Sequence, residues 1–321
     1  MLDKSEPASF PSINAAYASV FRPGRLSIGL VLPLESYAVG AAPEMRDHIE
    51  AAQKAEALGF AALWLRDVPF NVPSFGDVGQ IFDPFVYLGA LAMATDRIAL
   101  ATGSIILPLR HPAHVAKAAA TADQLSDGRL ILGVASGDRP EEYPAMNHNF
   151  ADRGARFRDS FDYIRAMGTP YPTLDNSCGT LSGGIDMLPK PHGPRLPMLI
   201  TGGSHQAPDW VAQHGDGWIT YPRSAADQGR VISDYRARVQ AAGGPDKPVM
   251  QSLYVDLLPD ADAAPRPIHL GFQSGTDFLR SYLREIEALG VNHVALNLRF
   301  NQAPIDTTLN HLAEVVLPDF T

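Results

Sequence analysis

Short apolar segments alternate with helix-patterned segments eight times along this chain, and that rhythm limits the possible folds more than any other feature. The strand-like runs are SIGLVLP (27–33), FAALWLRD (60–67), RIALATGS (97–104), GRLILGVAS (128–136), PMLITGG (197–203), GWITYP (217–222), PVMQSLYVDLL (248–258) and VNHVALNLRF (291–300). Their apolar residues run almost without interruption, as in parallel strands covered on both faces. Helices are expected over 45–58 with Gly59 as the stop, and over 83–95 with Asp83 as N-cap and Pro84 in the first position. Further helices are expected over 112–125, 152–167, from 208, over 225–242, from 278 to a stop at Gly290, and over 305–316. Eight such units predict an α/β protein, a (β/α)8 TIM barrel with inserted loops at its C-terminal face. A doubly wound open sheet is the competing architecture, but it usually has fewer strands, and no GxGxxG follows the first strand. Residues 1–25 read as a polar, Pro-containing arm and 26–321 as a single barrel domain.

A length of 321 residues is ordinary for one α/β barrel, and 45% apolar residues supply a large core. The formal net charge of −9 argues against a nucleic-acid partner and an anionic membrane surface. Cys178 is the single cysteine, so no intramolecular disulfide forms, and it reads as a loop thiol beside Gly179. The N-terminus MLDKSEPASF lacks the apolar core of a signal peptide, and no apolar run reaches the roughly 18 residues of a membrane span. The expectation is a cytoplasmic protein.

In a (β/α)8 barrel the chemistry sits where the strands end. That rule selects Glu35, Arg66, Asp67, Gly103, Ser104, Ser136, Gly137, Asp138, Gly202, Gly203, Ser204, Tyr221, Arg223, Asn297 and Arg299. It also assigns Gln124–Arg129 (QLSDGR), which joins a helix to a strand, to a tight turn on the opposite face. TGGSHQAPDW (201–210) is the most informative segment. Two glycines allow close backbone approach, and a helix start offers free N–H groups, so the choice lies between a phosphate site and a plain tight turn. The usual barrel phosphate site follows strands seven and eight, and this turn follows the fifth. Gly103 in LATGS (100–104) permits either a distorted peptide pressed on a flat ligand or a simple bulge. His111 and His114 form an HxxH pair without the convergent His and Asp set of a metal site, so no metal is expected. His111 reads as a mouth-facing catalytic candidate or as a helix cap. No GxSxG elbow is present. Two loop-like stretches, 70–82 and 169–196, interrupt the rhythm.

DPFVYLGALAMATDRIALATGSIILPLRHPAHVAKAAATADQLSDGRLILGVASGD (83–138) resembles the central signature of the bacterial luciferase-like monooxygenases. EEYPAMNHNFADRGARF (141–157) and PKPHGPRLPMLITGGSHQAPDWVAQHGDGW (189–218) resemble later segments of that family, so the likeness spans roughly residues 26–300. The resemblance implies a flavin-dependent oxidoreductase. The first expectation is a monooxygenase using reduced FMN and O2 on a small organic substrate. The alternatives are a deazaflavin-dependent reductase or dehydrogenase, and a non-catalytic flavin-binding protein. Ser204 matches a phosphate-contacting serine, with Gly202 and Gly203 supporting it through backbone N–H groups. Gly103–Ser104 falls where many members hold a non-prolyl cis peptide, and Ser136 where some contact the flavin phosphate. Many members carry an acidic residue followed by histidine after the second strand. Here Asp67 is followed by Val68, so Asp67 and Arg66 become the catalytic candidates, against the alternative of a structural ion pair. A homodimer and a flavin reductase partner are also implied.

Overall fold

The computed structural model describes residues 9–37 and 40–320. Among them, eight parallel strands pair in chain order: β1 (Ser27–Val31), β2 (Ala62–Leu65), β3 (Ala99–Thr102), β4 (Leu130–Ala135), β5 (Met198–Thr201), β6 (Gly217–Thr220), β7 (Val249–Leu257) and β8 (His293–Asn297). Strand β8 pairs back onto β1 with Ser27 opposite His293 and Leu30 opposite Leu296, which closes the barrel. The predicted (β/α)8 architecture is the one observed.

The helices outside the strands are His48–Ala57, Pro84–Ala94, Pro112–Leu125, Arg153–Ala166, Pro208–His214, Ala225–Ala241, Thr276–Ala288 and Ile305–His311. Asp83 caps its helix as its sequence position implies, accepting from the amides of Phe85 and Val86 at 3.0 and 3.2 Å. The helix expected from residue 45 begins at His48, because Met45 and Asp47 have positive φ (56° and 49°) and turn the chain first. The closing helix is α-helical only to His311 and widens into a π turn over Leu312–Val316. Leucine, isoleucine and valine side chains between strands and helices make the main core. Close strand approach requires glycine at position 133, where a Cβ would stand 2.0 Å from the Thr102 carbonyl oxygen.

The arm is not merely a lead-in. Ala15–Val20 is a helix whose N-cap, Asn14, accepts from the Tyr17 amide. Ile13, Ala16, Tyr17, Val20 and Phe21 are buried against the barrel interior. The Ala16 amide donates to the Gly128 carbonyl at 3.0 Å, and the Tyr17 hydroxyl donates to the Asp216 carbonyl at 2.6 Å. These partners precede β4 and β6, so the segment plugs the lower, N-terminal end. Gln124–Arg129 is the expected turn on the same end, with Asp127 and Gly128 at φ 52° and 80°. Two antiparallel hairpins are additions the apolar rhythm does not announce. Thr173–Asn176 pairs with Gly179–Ser182, and Arg266–Ile268 pairs with Gly271–Ser274 just after β7. Among the described residues, no helix is long and apolar enough to cross a membrane.

Candidate active site

The upper end of the barrel opens into a cavity of about 1140 Å³. Its floor is made by barrel-interior side chains, among them Val31, Trp64, Ile219, Met250 and Ala295. Trp64 is held from beneath. Its indole N–H donates to His293 Nε2 at 2.8 Å, and His293 Nδ1 lies 2.7 Å from the Ser27 hydroxyl, which donates to the Val20 carbonyl. Burial holds the imidazole neutral, with its pKa pushed down to about 3. The chain of bonds is then consistent with a proton on Nδ1 and an acceptor at Nε2.

One wall is the Gly103–Ser104 peptide, which is cis, as the family resemblance implies. A Cβ on Gly103 would lie 3.4 Å from the Trp64 ring, so the peptide rests directly on the floor. The Ser104 and Thr201 hydroxyls hydrogen-bond one another across the ends of β3 and β5. Ser136 also lines the cavity, and its carbonyl accepts from the Tyr143 hydroxyl.

The turn after β5 carries the clearest ligand signal. Gly202, Ser204 and His205 have φ of 54°, 43° and 58°, left-handed backbone of the kind from which anion-binding nests are built. The amides of Gly203, Ser204 and His205 donate to no acceptor among the described residues. Of the three residues only Ser204 is buried, Gly203 and His205 being exposed, so these amides stand open on the cavity lining and are available to an anion. Gly203, Ser204, His205 and Gln206 line the cavity, while Gly202 lies under the turn and accepts from the Trp218 indole at 3.0 Å. The Ser204 hydroxyl turns inward to donate to the Thr201 carbonyl at 2.8 Å. Its contribution to an anion therefore comes from its backbone amide. On the outer flank, Gln206 Nε2 donates to the Gly154 carbonyl at 2.7 Å, and a Cβ on Gly154 would meet His205 Cβ at 2.9 Å. The start of the Arg153–Ala166 helix thus packs against the turn. These features fit a cofactor with a phosphate tail and a flat ring above the floor, with volume left for a substrate.

The structure separates the three catalytic candidates. Asp67 and Arg66 both line the cavity but do not pair with each other. Asp67 accepts from Arg110 Nε and Nη2 at 2.9 and 2.7 Å and from the Ile106 amide at 3.1 Å. Arg66 instead reaches Asp77, at 2.6 Å. His111 lies outside the lining. It caps its helix by accepting from the Ala113 amide at 3.2 Å, because Pro112 in the first helical position directs the ring along the helix start. Of the strand-end residues, Gly137, Asp138, Tyr221, Asn297 and Arg299 also line the cavity, whereas Glu35 and Arg223 do not. Glu35 is taken up by the amides of Glu44 and Met45. Sequence reasoning missed Asp77, Arg139, His205, Tyr254 and His269, all cavity-lining. Asp77 and His269 sit in insertions and Tyr254 within a strand, so only the alignment of β7 with the loop could have found them.

Arg139 and Glu142 form a buried pair beside the mouth, with Arg139 Nη1 and Glu142 Oε1 4.0 Å apart and neither hydrogen-bonded among the described residues. Burial pushes the Glu142 carboxyl up to about 7, against the pull of Arg139. Among the described residues, no cluster of three or more His, Cys, Asp or Glu suits a metal ion.

A family model described as luciferase-like monooxygenase matches residues 26–306. An F420-dependent glucose-6-phosphate dehydrogenase of Amycolatopsis mediterranei is 31% identical over 180 residues, 54% of this chain and 53% of that protein. The monooxygenase RslO1 of Streptomyces bottropensis superposes with a TM-score of 0.77 at 20% identity, covering 92% of this chain and 100% of that one. The oxygenating constituent of a 3,6-diketocamphane monooxygenase of Pseudomonas putida, solved with FMN, superposes with a TM-score of 0.73 at 15% identity, covering 92% and 99%. The chain belongs to the luciferase-like monooxygenase family.

Proposed function

We propose that the chain is a flavin-dependent monooxygenase that uses reduced FMN and O2 on a small organic substrate. The observation that carries this reading is the curl of three unused amides at Gly203, Ser204 and His205, opening on a cavity walled by the Gly103–Ser104 peptide and floored by Trp64. When bound, reduced flavin supplies the electrons, and the protein orients the ring and excludes water. Arg66, with only Nη1 engaged by Asp77, keeps guanidinium donors directed to the cavity, whereas Asp67 orients Arg110. A second reading, a deazaflavin-dependent dehydrogenase, is favoured by the F420-dependent relative. Titration with FMN and with F420, followed by oxygen uptake in the presence of a flavin reductase, separates them. The first reading expects FMN to bind at least about tenfold tighter, a difference of 1.4 kcal/mol, and oxygen to be consumed. Tighter F420 binding without oxygen uptake transfers the assignment to the second, and binding of neither removes both.

A homodimer belongs to the same proposal. The helix Pro84–Ala94 carries no charged residue, and its Val86 and Met93 are 76% and 73% exposed on either side of Ala90. An isologous contact with a second copy would place Val86 against Met93 across a twofold axis. Met93→Glu is expected to convert dimer to monomer in sedimentation. A monomeric wild type contradicts the assignment.

A further inference from the structure

Loop 70–82 crosses the mouth and supplies Ser74, Phe75, Gly76 and Asp77 to the cavity wall. One carboxylate ties it down. Asp77 Oδ2 accepts from Arg66 Nη1 at 2.6 Å and from the Tyr254 hydroxyl at 3.0 Å, and it forms an ion pair with Arg299 Nη1 at 3.1 Å. Asp77 Oδ1 accepts from the Tyr37 hydroxyl at 3.0 Å and from the Gly79 amide at 2.9 Å. Apart from the Gly79 amide, the partners come from four places around the rim: the chain after β1, the chain just after β2, strand β7 itself and the chain just after β8. Main-chain bonds follow the same path, with Arg299 Nη2 donating to the Gly76 carbonyl at 2.6 Å and Arg139 Nη2 to the Asp77 carbonyl at 2.8 Å. The Arg139 guanidinium lies over the Phe75 ring at 4.3 Å. Burial alone would raise the Asp77 pKa. The charge and hydrogen bond of Arg66, the Gly79 amide and Arg299 outweigh it and hold the carboxyl well below the usual range.

Two guanidinium groups and two phenols converging on two oxygens form a receptor for a carboxylate, not a generic loop contact. The anion turn at Gly203 accounts for one side of the cavity, and this receptor lies with the loop on another. We propose that Arg66, Arg299, Tyr37 and Tyr254 form a carboxylate-binding site whose resident ligand is Asp77, and that this latch fixes Phe75 as the wall that selects substrates. Asp77 is thus a positioning residue. That the wall faces a substrate rests on the oxidoreductase reading above; that the site takes a carboxylate does not.

Chemical rescue of Asp77→Ala tests the site without any cofactor. Amide hydrogen exchange over residues 70–82 is expected to accelerate at least about tenfold in the variant. Sodium acetate should return it toward the wild-type rate with saturation. Acetamide, the same shape without charge, and matched sodium chloride should not, and wild type should ignore all three. Unchanged exchange in the variant, or equal effects of acetate and acetamide, overturns the proposal. Should Asp77→Ala not fold, Asp77→Asn keeps the shape without the charge, and the same acceleration of loop 70–82 is required of it. Rescue by acetate together with failure of both FMN and F420 to bind would leave the latch standing and remove the oxidoreductase reading. FMN binding without rescue would do the reverse.

Discussion

At the lower end of the barrel the Arg129 guanidinium donates to the Ser126, Thr95, Ile98 and Ala92 carbonyls and to the Thr95 hydroxyl, all within 2.7–3.0 Å. Asn14 there bonds Asp123 and the Leu130 carbonyl, and Tyr17 bonds the Asp216 carbonyl. At the upper end, three consecutive amides after β5 bond nothing among the described residues. Both ends are rich in buried polar groups. The lower end closes every one of these bonds inside the chain, which fixes the fold. The upper end leaves these donors open on the lining of a cavity, where a ligand or solvent can take them. Polar burial by itself therefore does not mark a functional site; unmet hydrogen-bonding capacity facing open volume does.

The contrast can be broken by mutation. Arg129→Ala should have the largest effect, a loss on the order of 3 kcal/mol or more in urea unfolding, because several buried carbonyls lose a charged donor together. FMN affinity of the folded fraction should not move. A loss near zero would mean that the lower end is not the stability-bearing one. Tyr17→Phe removes one hydrogen bond and should cost about 1 kcal/mol. Ser204→Ala should leave stability nearly unchanged and lower FMN affinity only about threefold or less, since the hydroxyl faces Thr201 and the amide remains.

A pH-dependent effect concerns Glu142. Its folded pKa, raised to about 7, exceeds the ordinary carboxyl value. The folded state therefore binds more protons than the unfolded state between roughly pH 4.5 and 7, and stability contributed by the neutral acid is lost as pH rises through that window. Wild type should lose thermal stability relative to Glu142→Gln across this range. Parallel curves would place the proton elsewhere.

Much of this contrast was legible in the chain. Continuous apolar runs gave the strands, and the strand-end rule gave Arg66, Asp67, Ser104, Ser136 and Gly203 because position along a barrel strand fixes which end a residue occupies. Ile13, Ala16, Tyr17 and Val20 do carry helical spacing, but over too few turns to stand out in a polar stretch, so the lower plug reads as an arm. The partnership of Asp77 with Arg299 and Tyr254 spans more than 170 residues, and no local pattern encodes it. Arg66 and Asp67 are neighbours in sequence, yet each selects a different ion partner across the mouth. His111 shows the opposite failure: a motif-like pair near a strand end whose ring is consumed by its own helix.

The most direct measurement is a titration of FMN into wild type, Gly203→Ala and Gly203→Asp. A Cβ at position 203 meets only the Gln206 carbonyl oxygen, at 3.6 Å, so both variants have room to fold. The curl of amides predicts near-native affinity for the alanine variant and a loss of about a hundredfold or more for aspartate, whose charge would face the phosphate. Equal affinity in all three proteins would contradict an anion site at this turn.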